Sequence, residues 1–219
     1  MHIPDGFLNP ATLATAWAAS SGAVGYGVHR LRRELDERQV PLMGVTAAFI
    51  FAAQMMNFTV AGGTSGHLLG GALAAILLGP WAAMLVLTSV LTVQALVFQD
   101  GGLLALGANI WNMAVIGVLV AWAVYRPLAR LWGQKTWGRA VATFLSAWAS
   151  VVVASLMASV ELAVSGASPW GVVLPAMGGV HALIGIGEGV ITLAALALVR
   201  VARPDLFLRR RTSHVGGGL

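Results

Sequence analysis

The sequence predicts an all-α polytopic membrane protein with seven transmembrane helices, its N-terminus outside and its C-terminus cytoplasmic. Three observations predict it. The 219 residues are 58% hydrophobic and 10% charged, with a mean hydropathy of +0.83, whereas ordinary soluble domains are about 25% charged. Between Arg38 and Asp100 there is no Asp, Glu, Lys or Arg, and no soluble core needs so long an uncharged run. All 13 basic residues fall in three clusters: Arg30 to Arg38, Arg126 to Arg139 and Arg200 to Arg211. Basic loops stay in the cytoplasm, so all three clusters belong inside, while Asp5, Asp100 and Glu161 lie at the opposite ends of the spans. That placement explains the sequence pI near 11.1 without nucleic acid.

The elements follow in order. Residues 1–9, MHIPDGFLN, carry no Lys or Arg before the first apolar stretch, so they do not read as a secretory signal. Asn9 suits an N-cap and Pro10 the first helical position, opening a span over residues 10–28. A second span, 41–58, returns outward and is followed by the small, flexible stretch AGGTSGHLLGG. The apolar run 66–99 is too long for one span and short for two, at about 1.5 Å per residue. Clusters one and two are both inside, so an even number of spans separates them. The run therefore contributes two short spans, split at Gly79-Pro80, where proline breaks a helix. Spans over 103–125, 140–164 and 170–199 complete the bundle. Nothing divides the chain, so 1–219 reads as one membrane domain: an arm (1–9), a bundle (10–201) and a basic cytoplasmic tail (202–219) that includes a solvated His214. There are no cysteines, which excludes disulfides and thiolate metal sites.

Polar groups in such a chain are costly and point to function. On the outer side these are His2, Asp5, Asn57, Thr64, Ser65 and His67; deeper lie Gln54, Gln94, Asn109, Asn112, His181 and Glu188. A free amine, the next peptide nitrogen and a histidine imidazole in second position can chelate one cation through a five- and a six-membered ring. Displacing the amide proton requires a metal that favours a planar nitrogen field, Ni²⁺ or Cu²⁺ before Zn²⁺. His67 could fill the open position, with Asp5 orienting an imidazole or offsetting charge. Read from the residues alone, His2 as an ordinary terminal residue and His67 as a helix-capping group explain the pattern equally well.

Gly63-Thr64-Ser65-Gly66 also fits GxSG, the nucleophile motif of rhomboid-like intramembrane proteases, with His181 as a later base. The same small residues also suit a tight turn into a helix. His181 and Glu188, seven apart, share a face of the last helix: a proton or cation relay in a self-sufficient secondary transporter, or a buried polar pair bonded to neighbouring helices. For Glu188 the second reading is preferred. Asn109 and Asn112 are expected to hold helices together or shape the cavity. The Ala14/Ala18 and Ala48/Ala52 spacings would permit close helix contact, within the bundle or with a partner subunit.

Four stretches taken together carry a resemblance: MHIPDGFL, AAFIFAAQMMNFTVAGGTSGHLLGGALAAILLGPW, VQALVFQDGGLLALGANIWNM and HALIGIGEGVIT. The chain resembles the CbiM/NikM family, the substrate-capture subunits of energy-coupling factor (ECF) transporters for cobalt and nickel. The resemblance implies a seven-helix bundle in a prokaryotic cell membrane, its mature terminus folded back into an outward-facing cavity. It implies metal ligation by Met1 (amine), His2 (amide and imidazole) and His67 (imidazole), with Thr64 and Ser65 near the cavity. It implies Ni²⁺ or Co²⁺ as cargo with no cofactor of its own. It also implies a transmembrane coupling subunit, two cytoplasmic ATPase subunits and often a small accessory membrane subunit as partners. The chain has no Walker motif, so it is not an enzyme and hydrolysis belongs to partners. Pro-Asp-Gly near the terminus and Gly-His-Leu in the loop lean towards the nickel-type branch.

Overall fold

The structure, a computed structural model, describes residues 1–36, 39–60, 64–132 and 135–205, with the backbone alone for 58–60, 64 and 65. Helix α1 (Pro10–Leu31) starts as its sequence demands: Asn9 is extended, its Oδ1 accepts the Thr12 N–H at 2.8 Å, and Pro10 occupies the first turn. Helix α2 (Gln39–Gln54) stops before the predicted boundary at residue 58. Phe58–Val60 instead forms β1, paired antiparallel with β2 (Thr64–Gly66). The stretch expected to be a flexible loop thus carries a two-stranded hairpin. Residue Gly63 and the hairpin tip lie outside the described residues, as do residues 206–219 with His214.

Helix α3 (Gly71–Leu78) and helix α4 (Pro80–Val97) meet at Gly79, whose φ of +88° is left-handed. The break therefore falls where proline predicted it. The two halves are not the matched short spans expected, however. At 8 residues α3 rises about 12 Å, under half of a hydrocarbon core of about 30 Å. The irregular segment 67–70 leads into it. Such backbone is tolerated only inside protein, and His67 and Leu69 are indeed buried, as are all residues of α3 except Leu77.

Helix α5 (Leu106–Trp132) follows, with π-helical turns over Ile110–Gly117. Helices α6 (Thr136–Val164) and α7 (Trp170–Ala202) complete a set of 7 among the described residues. Of these, 4 are long and apolar enough to cross a membrane: α4, α5, α6 and α7. Helix α3 sits at the centre, touching α2, α4, α5, α6 and α7. The α6–α7 contact is close because glycine faces aromatic rings: a Cβ at Gly189 would come within 2.5 Å of Phe144, and one at Gly185 within 2.9 Å of Trp148. The small pairs singled out in sequence do not make helix contacts here. Ala14, Ala18, Ala48 and Ala52 all face outward.

Candidate metal centre

The N-terminal arm does not trail into solvent. Met1, His2 and Ile3 are all buried. Asn109, at the first turn of α5, grips the Ile3 peptide from both sides. Its Oδ1 accepts the Ile3 N–H at 2.8 Å, and its Nδ2 donates to the Ile3 carbonyl at 3.1 Å. Gly102 N–H donates to the same carbonyl at 3.0 Å. The buried Ile3 N–H and carbonyl are thereby paired, as burial requires.

Asp100-Gly101-Gly102, between α4 and α5, forms the wall of this seat. Gly101 has φ +93°, and a Cβ there would stand 3.3 Å from His2 Cδ2. A Cβ on Gly102 would collide with the Asp5 carboxylate and backbone nitrogen. Asp5 itself accepts the N–H groups of Leu103 and Ala105, each at 3.0 Å. The expectation that Asp5 orients an imidazole is therefore corrected. Asp5 fastens the arm to the 103–105 backbone, and Asp100 takes the place beside the ring, with its Oδ1 3.2 Å from His2 Nδ1.

His2 and His67 meet face to face, their ring centroids 4.5 Å apart and their planes inclined by 22°. His67 Nδ1–H donates to the Leu68 carbonyl at 2.7 Å, which directs its lone pair to Nε2. That Nε2 is buried and has no hydrogen-bond partner among the described residues. Burial pushes the Met1 amine down to about 4, with Asp100 opposing, so the amine is neutral at pH 7. His2 is lowered by burial against the pull of Asp100, and Asp100 is held below its usual range chiefly by its hydrogen bond with His2. Neutral nitrogens with available lone pairs are what a transition metal needs.

His2 Nε2 lies 3.2 Å from Gln94 Oε1. With both ring nitrogens facing oxygen acceptors, a neutral ring can satisfy only one. When Nε2–H donates to Gln94 in place of Nδ1–H to Asp100, Nδ1 is left as the lone-pair nitrogen, and Nδ1 is the atom that would close a six-membered chelate ring with the His2 amide.

His181 is buried on α7. Its Nδ1–H donates to the Met177 carbonyl at 2.8 Å, and its Nε2 has no hydrogen-bond partner among the described residues. Glu188, further along that helix, accepts the Leu69 N–H at 2.8 Å and the Gly70 N–H at 2.6 Å. Asn112 points elsewhere and donates to Glu161 Oε2 at 2.6 Å. The backbone of Thr64 and Ser65 belongs to β2, and their side chains lie outside the described part.

Among the described residues, no three His, Cys, Asp or Glu side chains gather as a metal cluster. The nitrogens assembled here are two stacked imidazoles and the chain's own amine. Sequence reading missed the roles of Gln94, Asp100, Gly101 and Gly102. Their signal was the Asp-Gly-Gly turn: two glycines beside a lone acid in an uncharged region mark a close backbone approach.

A family model for the cobalt uptake substrate-specific transmembrane region, CbiM, matches residues 2–206. An Archaeoglobus fulgidus protein provisionally named a fused nickel transport protein, NikMN, is 44% identical over 208 residues, spanning 94% of this chain and 68% of that one. The cobalt transport protein CbiM of Sorangium cellulosum is 35% identical over 100% of this chain and 99% of its own length. A crystal structure described as a transition metal transporter superposes with a TM-score of 0.86 at 32% identity, covering 99% of this chain and 100% of that chain. The buried arm, the paired imidazoles and these matches agree, and the chain belongs to the CbiM family of transmembrane metal transport components.

Proposed function

We propose that this chain is the substrate-capture subunit of an ATP-driven ECF-type importer. It takes up Ni²⁺, or Co²⁺, at a site facing outward across a prokaryotic cell membrane. Met1 supplies its amine, His2 its amide and Nδ1 nitrogens, and His67 its Nε2. The bundle crosses the membrane with its N-terminus outside and its basic loops in the cytoplasm, following the charge placement. Nickel is the first choice because of the planar nitrogen donor set and the nickel transport name of a 44% identical relative. The metal is cargo rather than cofactor. Lacking a Walker motif, the chain relies on a transmembrane coupling subunit and two cytoplasmic ATPases for energy, with a small accessory membrane subunit joining them.

The observation that carries this reading is the buried, unpartnered His67 Nε2 stacked against the His2 ring. The Gln94 orientation supports it, since Oε1 facing His2 Nε2 suits the tautomer that leaves Nδ1 to a cation. Asp100 then offsets the cation's charge. The test is calorimetric titration of purified protein with Ni²⁺ and Co²⁺, using the native terminus, His2→Ala, His67→Ala and a version extended before Met1. Each change should abolish high-affinity binding. Undiminished affinity in the extended protein would overturn the amine's role.

A further inference from the structure

The donor nitrogens sit on two separately held pieces of the fold. The arm is fastened to the 94–109 region through Gln94, Asp100, Gly102, Leu103, Ala105 and Asn109. His67 is fastened elsewhere. Its segment, 67–70, has no regular hydrogen bonding, and a buried irregular backbone must find partners from outside itself. Three of these bonds go to two side chains. Glu188 accepts the Leu69 N–H and the Gly70 N–H on its two oxygens, at 2.8 and 2.6 Å, and Gln54 Nε2 donates to the Leu69 carbonyl at 2.7 Å. Gly70 takes φ +76°, with Ile50 where a Cβ would stand, so the segment has no latitude on that side either.

Resting on the metal site proposed above, we infer that Glu188 is a positioning residue for that site. From α7 it clamps the segment that presents His67, and it sets metal affinity through His67 alone. Each carboxylate oxygen accepts one backbone N–H, a pairing that an acceptor-only group satisfies in full and an amide cannot. Losing it strands two N–H groups and frees His67 Nε2 to leave the His2 ring. The occupancy of the metal site thus depends on where α7 stands relative to the arm.

The test is a double-mutant cycle read by Ni²⁺ titration of the full-length protein: parent, Glu188→Ala, His67→Ala and the double variant. Glu188→Ala is expected to weaken Ni²⁺ binding about 10- to 100-fold, the usual effect of removing a group that orients a ligand. His67→Ala loses the high-affinity site but keeps weak Ni²⁺ chelation by the Met1 and His2 nitrogens, and in that background Glu188→Ala should change this residual affinity no further, because the group it positions has gone. Glu188→Gln, which keeps one acceptor, should fall between parent and Ala. The absorption spectrum of the Ni²⁺ complex of Glu188→Ala should shift towards that of His67→Ala, a change that general destabilisation would not produce. Parental affinity in Glu188→Ala, or a loss that adds to that of His67→Ala, overturns the inference. Parental affinity in His67→Ala would overturn the metal-site reading itself, so the two failures are distinguishable. If Glu188→Ala does not fold, the Gln variant in both backgrounds completes the same cycle.

Discussion

Replacing Asn109 by leucine isolates the docking of the arm from the donor atoms themselves. Leucine is close in shape to asparagine but can make neither of the bonds to Ile3, at 2.8 and 3.1 Å. The Ile3 carbonyl keeps the Gly102 N–H at 3.0 Å, so only the buried Ile3 N–H is stranded. Stranding it costs about 1–3 kcal/mol and losing the second bond about 0.5–1.5 kcal/mol. A loss of roughly 1.5–4.5 kcal/mol, at about 1.4 kcal/mol per decade, shifts the docking equilibrium about 10- to 1000-fold.

How much of that reaches the metal depends on how firmly the parent arm is docked. Apparent affinity scales with the docked fraction, and the expected fall in Ni²⁺ affinity is at least about tenfold. Calorimetric titration reads the affinity, and release of Met1 by an aminopeptidase in the metal-free protein reads the undocked fraction. A folded Asn109→Leu protein with affinity within about threefold of the parent and unchanged resistance to the peptidase would refute the reasoning.

Three further outcomes follow from the same geometry. Gly102→Ala places a methyl on the Asp5 carboxylate and backbone, so Ni²⁺ binding should be lost while circular dichroism keeps the parental helix content; retained binding would mean that the arm seats differently. Asp100→Asn removes the charge beside His2 Nδ1 and should weaken Ni²⁺ binding about 10- to 100-fold by titration, with no change expected only if Asp100 does not serve that ring. The third concerns pH. The Met1 amine drops from 8.0 to about 4 on burial, so the docked arm binds fewer protons than the free one between those values. Docking therefore weakens as pH falls from about 8 towards 4 and is indifferent above 8. His2, also lowered, acts in the same direction, and the contribution of the lowered Asp100 is lost only once pH falls below the ordinary carboxylate range. Peptidase release of Met1 should accelerate on acidification, after correction for the enzyme's own pH profile; a flat response would contradict the burial of the amine.

The membrane character of this chain and most of its helices were legible in the sequence because they rest on local properties. Charge-free length, the Asn9-Pro10 start and the Gly79-Pro80 break act through neighbouring residues, and each appears where the spacing puts it. The proposed donors Met1, His2 and His67 were likewise nameable, since chelation at a chain terminus is a matter of adjacent atoms. What surrounds them was not. Asp100 reads as a loop acid and Asp5 as the natural companion of His2, yet the fold exchanges their tasks. Nothing local distinguishes two carboxylates that differ only in which backbone amides the turn at Gly101 and Gly102 brings near.

The third helix shows the same limit. Composition marks residues 66–78 as apolar, but it does not tell a membrane span from a short, wholly buried helix reached by extended chain. That choice belongs to Glu188 and Gln54, remote in sequence, which take the hydrogen bonds that lipid could not. The residues alone give a helical membrane chain and a candidate chelator at its terminus. The seating of that terminus beside His67 is a product of the fold, because the seat is built from side chains up to 119 residues away along the chain, on elements that meet only when the bundle closes.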